Sequence, residues 1–257
     1  MRDEAGHARL SEGQRAAAAA GQKSMVPVGA GTGRPFLDYV LSSLADAGCD
    51  DVCLVVAPDH AAIREHFVRV PPTRVRVHYA VQEQPTGTAH AVAAAEAFVK
   101  GEGFLVLNAD NLYPVEVVQA LAAIDGPGLA AFERRGLVEE SGFPEERVAE
   151  FAVLEVDERG WLTGIREKPG VGDPALADPR ALISMNVWRF DEGIFGACRL
   201  VPRSARGEHE LPEAVALAVS RGARFAAVPA RGIVLDLSRR GDIAEVSRRL
   251  AGREARP

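Results

Sequence analysis

Hydrophobic and polar positions change period several times along this chain, and each change predicts an element. In "PFLDYVLSSLADAG", Phe36, Leu37, Val40, Leu41 and Leu44 fall on one helical stripe, and Gly48 supplies the stop. "DVCLVVAP" is a short, continuously apolar run, the pattern of a strand covered on both faces. "HAAIREHF" returns to helical spacing, "VRVHYAVQ" alternates as a strand does, and "GTAHAVAAAEAFV" is a helix of small residues. "FLVLNAD" is a third strand and "PVEVVQALAAI" a further helix. Strand and helix alternating at this short spacing predict an α/β fold, a mostly parallel, open twisted sheet with helices on both faces.

Beyond residue 124 the pattern changes. "AEFAVLEVDERGWLTGIREKP" holds two strand-like runs joined by Asp157-Glu158-Arg159-Gly160, which predicts an inserted β-hairpin with glycine in its turn. "ALISMNVWRFD" is another strand, "ELPEAVALAVSRG" a helix with its own glycine stop, "RFAAVPARGIVLDL" one strand or two, and "RGDIAEVSRRLAG" a closing helix. The charged, Pro- and Gly-containing stretch around 134–150 reads as a loop or flap. Residues 1–22 combine charge, glycine and an alanine run without β-branched residues, and are expected to form an irregular N-terminal segment, with 23–257 a single domain.

Composition narrows the function classes. With 257 residues, 47% of them hydrophobic, a sizeable core is affordable. A formal net charge of -6 gives no general attraction to nucleic acid or anionic lipid, so phosphate binding must come from local cations and backbone N–H groups. Three cysteines complete no zinc set, and the six histidines show no metal-ligand spacing. Neither a secretory h-region nor a run of about 20 apolar residues is present, so the expected location is the cytoplasm. G-x-S-x-G and G-x-x-x-x-G-K-[ST] are both missing, which disfavours an esterase elbow and a P-loop.

What remains is a set of polar residues at the ends of apolar runs. In "FLVLNADNLYP" Asp110 stands where a strand ends, and in "GIVLDLS" Asp236 does the same. Open α/β sheets bind ligands beyond the carboxyl ends of their strands. Two such acids can converge on one magnesium ion, which takes few protein carboxylates and completes its shell with water and phosphate oxygens. Each Asp equally starts a turn or caps a helix. Lys23, set in an apolar Pro/Gly-bounded stretch, suits a phosphate or an ordinary surface position. Gln82 presents a donor and an acceptor that match a nucleobase edge, Gly87 permits close approach, and Thr88 can cap the helix that follows. Glu167 and Lys168, held by Pro169, can meet sugar hydroxyls and phosphate. Asn186 lies inside an apolar strand, where its amide needs partners.

In this order, the pieces resemble the sugar-1-phosphate nucleotidyltransferases. "KSMVPVG…GRPFLDYVLSSLADAG" is similar to the family's "PKxLxPVxGKPxLxYxLxxLxxAG", "QEQPTGTAHAV" to its base-reading segment, and "LVLNADNL" to its metal-bearing "VLxGDxL". The hairpin ending in EKP, the "SMNVWRFD" strand, "GEHELPEAV" and "VLDLSRRGDIAEV" match its later motifs, so the likeness runs from about 22 to 248. The resemblance implies a Rossmann-like nucleotidyltransferase fold. The implied reaction passes a nucleotidyl group from a nucleoside triphosphate to a sugar 1-phosphate and releases pyrophosphate, with Mg2+ as cofactor. It places Lys23 on phosphate, Gln82, Gly87 and Thr88 at the nucleotide, Asp110 and Asp236 on the metal, Glu167 and Asn186 at the sugar, and Lys168 at the sugar phosphate. The family's opening "LAAGxGTRM" is expected to be degenerate or truncated in residues 1–22. A nucleotide-sugar binding or regulatory module without catalysis, and a cofactor nucleotidyltransferase of the same fold, are the alternative readings. The implied partners are the two small substrates, not nucleic acid or membrane, and a homo-oligomer is left open.

Overall fold

The computed structural model describes Gln14, residues 23–29 and residues 33–257. The expected irregular segment and degenerate loop over 1–22 lie outside the described residues, Gln14 apart. After a short turn at Lys23–Met25, β1 (Pro27–Val28) and β2 (Arg34–Pro35) form a small antiparallel ladder. The elements that follow are α1 (Phe36–Asp46), β3 (Asp51–Val56), α2 (Ala61–Arg69), β4 (Arg76–Val81), α3 (Thr88–Ala94), β5 (Phe104–Leu107), β6 (Asn111–Leu112) and α4 (Val115–Ala122). Then come β7 (Gly128–Glu133), α5 (Arg134–Glu139), α6 (Glu145–Val148), β8 (Ala152–Val156), β9 (Leu162–Arg166) and β10 (Leu182–Phe190). The chain closes with α7 (Gly193–Leu200), α8 (Leu211–Ser220), β11 (Ala226–Ala230), β12 (Leu235–Asp236) and α9 (Asp242–Arg249).

The six-stranded sheet runs β11-β7-β10-β8-β9, with β5 also on β10. Strands β5, β7, β8 and β11 share one direction, and β9 and β10 run against them. Because reversed β10 sits in the middle, most of its hydrogen-bonded ladders are antiparallel even though most of its strands point the same way. The β3–β4 pair is parallel. Helices cover both faces. On β10, Ile183, Met185 and Val187 join the core beneath α1, α4 and α9, whereas Trp188 and Phe190 join a second core beneath α3, α7 and α8. The period-2 alternation of β7, Leu129 and Ala131 against Ala130 and Phe132, divides between the same two cores.

The α1 stripe is buried as its spacing predicts, from Phe36 to Leu44. Its end is a glycine stop, with Gly48 at φ +89° and the Cys49 N–H donating to the Leu44 carbonyl. The hairpin β8–β9 turns at Gly160, φ +82°. One strand has no counterpart among the predicted elements, and one segment differs from its expectation. Central strand β7, "GLAAFE", has the small residues of a loop or helix, and its place is set by neighbours on both sides rather than by propensity. The flap at 134–150 is not plain loop but carries α5 and α6.

One break in the sheet positions everything that follows. Along one side of β10, β8 pairs with Leu182–Ser184 and β5 with Val187–Phe190. Met185 and Asn186 lie between, without a ladder partner on that side, and the β7 ladder shifts register over the same residues. Tyr113 explains how the backbone tolerates the gap. Its buried hydroxyl donates to the Met185 carbonyl at 2.5 Å and lies 3.3 Å from that of Asn186, while the Asn186 N–H donates to Ser184 Oγ. Asn186 takes φ +59°, a left-handed conformation that asparagine tolerates better than most residues.

Candidate active site at the break in the sheet

The register of β5 and β10, Leu107 opposite Val187, sets Asn108 beside Asn186 and brings Asp110 to the mouth of the break. Strand β12 then pairs with β6, Asp236 opposite Asn111 and Leu235 opposite Leu112, and the Leu237 N–H donates to the Asp110 carbonyl at 2.8 Å. Two acids 126 residues apart (236 less 110) are thereby neighbours. Burial pushes the Asp236 carboxyl above its ordinary range. Arg147, the Ser238 hydroxyl and the Ser238 N–H oppose that rise, and the charge of Asp110 adds to it. Tyr113, wholly buried, is raised well above its usual value by burial and then by the charges of both acids.

The four carboxylate oxygens are used unequally. Asp236 Oδ1 accepts from the Ser238 N–H at 2.7 Å and from Arg147 at 2.9 Å. Asp110 Oδ2 meets Lys23 Nζ at 3.3 Å. Asp236 also has the Ser238 hydroxyl against its carboxylate, whereas Asp110 Oδ1 has no protein hydrogen-bond partner among the described residues. Two adjacent carboxylates at the mouth of the break are a donor set that fits magnesium, with the remaining positions left to water and phosphate.

The hairpin brings the next residues to the same break. Ala152 lies opposite Ser184 and Val153 opposite Arg166, so Glu167 follows at the end of a row that starts on β10. Burial raises the Glu167 carboxyl, with Lys168 and Arg206 opposing and Glu210 and Glu213 adding to the rise. Its carboxylate makes no protein hydrogen bond among the described residues. Lys168 is exposed at φ +46°, a second non-glycine residue in the left-handed region. Such conformations cost roughly 1 kcal/mol or more and gather where function demands them. The Asn186 amide likewise has no protein partner among the described residues.

Gln82 follows β4, and its Nε2 donates to the Gly87 carbonyl at 2.9 Å, while its Oε1 has no protein partner among the described residues. Gly87 has φ +122°, and a Cβ there would sit 2.5 Å from the His209 backbone nitrogen, so close packing alone accounts for the glycine. Thr88 does not cap the helix it begins. Its hydroxyl accepts from the Leu211 N–H at 2.9 Å and so caps α8 instead. The Ala89 N–H to His209 carbonyl and His209 N–H to Thr86 carbonyl bonds complete this clamp, with the His90 and His209 rings stacked at 4.1 Å. The Gln82 loop is therefore fastened to the segment before α8, and no hydrogen bond joins it to Asp110.

Sequence reading missed four participants. Arg147 stands in "PEERVAE", which reads as a solvated charged face, yet it is buried because α9 supplies Asp242 from 95 residues away. Tyr113 follows the "NAD" motif and gave only an aromatic signal. Arg206 and Glu210, ion-paired to one another beside Glu167, sit inside "GEHELPEAV" and its flank. Among the described residues no helix is long and apolar enough to cross a membrane.

Comparison with known proteins agrees with this architecture. The profile of a family described as nucleotidyl transferase matches residues 18–251. The chain is 30% identical over 229 residues to the UTP–glucose-1-phosphate uridylyltransferase AglF of Haloferax volcanii, covering 89% of this chain and 87% of that protein. It is 28% identical over 216 residues to a glucose-1-phosphate thymidylyltransferase of Streptomyces antibioticus, covering 84% of this chain and 57% of that one. A UDP-glucose pyrophosphorylase solved with UDP-glucose has the same fold, with a TM-score of 0.72 at 20% identity over 88% of this chain and 89% of its own.

Proposed function

The chain belongs to the nucleotidyl transferase family, and we propose that it transfers a nucleotidyl group from a pyrimidine nucleoside triphosphate to a sugar 1-phosphate of the glucose type, using Mg2+. In this reading residues 23–257 act as one unit, in the cytoplasm. The choice of a pyrimidine and of glucose follows the two relatives' names. The observation that carries the site is the convergence of Asp110 and Asp236 beside the break at Asn186.

The acceptor's phosphate oxygen attacks the α-phosphorus in line, forming a new P–O bond as the bond to the pyrophosphate oxygen breaks. Such reactions are catalysed mainly by positioning and charge neutralisation. Glu167 and the Asn186 amide, both without protein hydrogen-bond partners among the described residues, hold sugar hydroxyls. Lys168 reaches the sugar phosphate and Lys23 the triphosphate. Gln82 reads the base edge, with Gly87 and Thr88 fixing its loop against His209 and Leu211. Asp110 and Asp236 hold the magnesium, which when bound neutralises charge on the phosphate oxygens. The test is pyrophosphate release from a panel of triphosphates and sugar 1-phosphates with and without Mg2+. The expected outcome is metal-dependent release with UTP or dTTP and glucose 1-phosphate. Binding of a nucleotide sugar with no release for any pair would replace this reading with a non-catalytic binding module.

A further inference from the structure

Each acid of the pair already carries a cation from the chain itself, and the two cations are held in opposite ways. The Arg147 side chain is 8% exposed. It meets Asp236 at 2.9 Å, donates to both oxygens of Asp242 at 2.5 and 2.9 Å, and lies 5.3 Å from the centre of the Phe143 ring. Two elements far apart in sequence, α6 and the β12–α9 segment, are joined through this one guanidinium. The Lys23 side chain is 36% exposed and, among the described residues, has a single polar contact, at 3.3 Å, with Asp110. A flexible ammonium on one long contact is readily given up, whereas a planar guanidinium shared between two carboxylates is not.

We propose that Arg147 is a permanent positioning residue, fixing the Asp236 carboxylate beside Asp110, and that Lys23 is an exchangeable counter-ion that surrenders Asp110 to the incoming divalent cation and is thereby released toward phosphate. This inference rests on the catalytic reading above and adds an order of events to it. Before metal binds, Lys23 neutralises Asp110, and metal entry is what makes the lysine available. It follows that Lys23, although it assists turnover, competes with the metal in the absence of nucleotide.

The measurement is Mn2+ binding without nucleotide, followed by the electron-spin-resonance signal of the free ion. Lys23→Met removes the competitor and tightens Mn2+ binding by about 3- to 10-fold, a range set by the modest strength of a partly exposed ion pair. The same variant loses turnover. Lys23→Arg keeps a cation on Asp110 and leaves Mn2+ affinity near that of the unchanged chain. Arg147→Met, and Arg147→Lys where the first fails to fold, weakens Mn2+ binding by about tenfold or more, because the Asp236 carboxylate is no longer held. Unchanged or weaker Mn2+ binding in Lys23→Met overturns the exchange, and unchanged Mn2+ binding in a folded Arg147 variant overturns the positioning role. Mn2+ binding with the expected pattern in a chain that releases no pyrophosphate supports the exchange and overturns the catalytic reading instead.

Discussion

The two sides of the cleft rest on unlike supports. The sugar side is built on β7, β8 and β10, whose residues are mostly buried between two helical layers. The nucleotide side is built on β3 and β4, whose residues are mostly half-buried or exposed, and among the described residues β3 hydrogen-bonds only to β4. A strand packed on both faces can hold a neighbour in an unfavourable conformation, and the two non-glycine residues at positive φ among those described, Lys168 and Asn186, both belong to the sugar side. The Gln82 loop shows the complementary device. Lacking a rigid platform, it is fastened through the backbone of His209 and the hydroxyl of Thr88 to the segment leading into α8. Rigid packing on one side and a hydrogen-bonded clamp on the other imply separable contributions to the two substrates.

The largest effect belongs to neither side. Asp110 stands at the seam, and its side chain is 21% exposed, so Asp110→Asn changes charge with little loss of packing. Turnover falls by roughly 10³-fold while both KM values and the melting temperature stay close to those of the unchanged chain. Steady-state kinetics and a melting scan measure all of these, and unchanged turnover would remove Asp110 from the reaction. Next in size is Glu167→Gln, which raises the KM for sugar 1-phosphate by roughly 10- to 30-fold and leaves that for the triphosphate alone. The same change stabilises the empty protein. Burial raises the folded-state pKa of Glu167, so its favourable contribution is complete below its unfolded value and is lost as pH rises through the raised one. Once ionised, the buried carboxylate therefore burdens the fold, and its removal stabilises it. A parallel rise in both KM values would show that the two sides are not separable.

Much of this was legible in the chain. Acids at the ends of apolar runs, the hairpin with Gly160 and the α1 stripe all follow from local pattern, because burial and turn geometry act over a few residues. Strand β7 was not legible, since "GLAAFE" has weak strand propensity and is a strand only because β10 and β11 flank it. Arg147 was not legible either, because a charged residue in a charged segment declares its burial only when a partner such as Asp242 arrives from elsewhere. The capping role of Thr88 was misassigned for the same reason. Capping rules look to the helix that follows, and here the nearer unsatisfied donor belongs to α8.

The unlike supports also predict unlike opening. Amides of β3 exchange with solvent at least about tenfold faster than those of β7, because fewer buried contacts must be lost to expose them. Hydrogen-exchange mass spectrometry with peptides spanning 51–56 and 128–133 reads this directly. Equal protection would mean that the β3–β4 pair is as firmly held as the six-stranded sheet, and that the contrast between the two sides is one of exposure only.

The smallest expected effect tests whether the clamped loop reads the base at all. The Gln82 amide spends one N–H on the Gly87 carbonyl, and its Oε1 acceptor has no protein partner among the described residues. Replacing it by alanine costs about one neutral hydrogen bond to a base edge, on the order of 1 kcal/mol, or about a fivefold rise in the KM for the triphosphate. The KM for sugar 1-phosphate should not move, since no hydrogen bond joins this loop to Glu167 or Asn186. The preference for one base over another should shrink with it, because the amide's donor–acceptor pair is the feature that distinguishes base edges. A variant with both KM values and base preference intact would reduce Gln82 to a brace for Gly87 and move base recognition elsewhere on the nucleotide side.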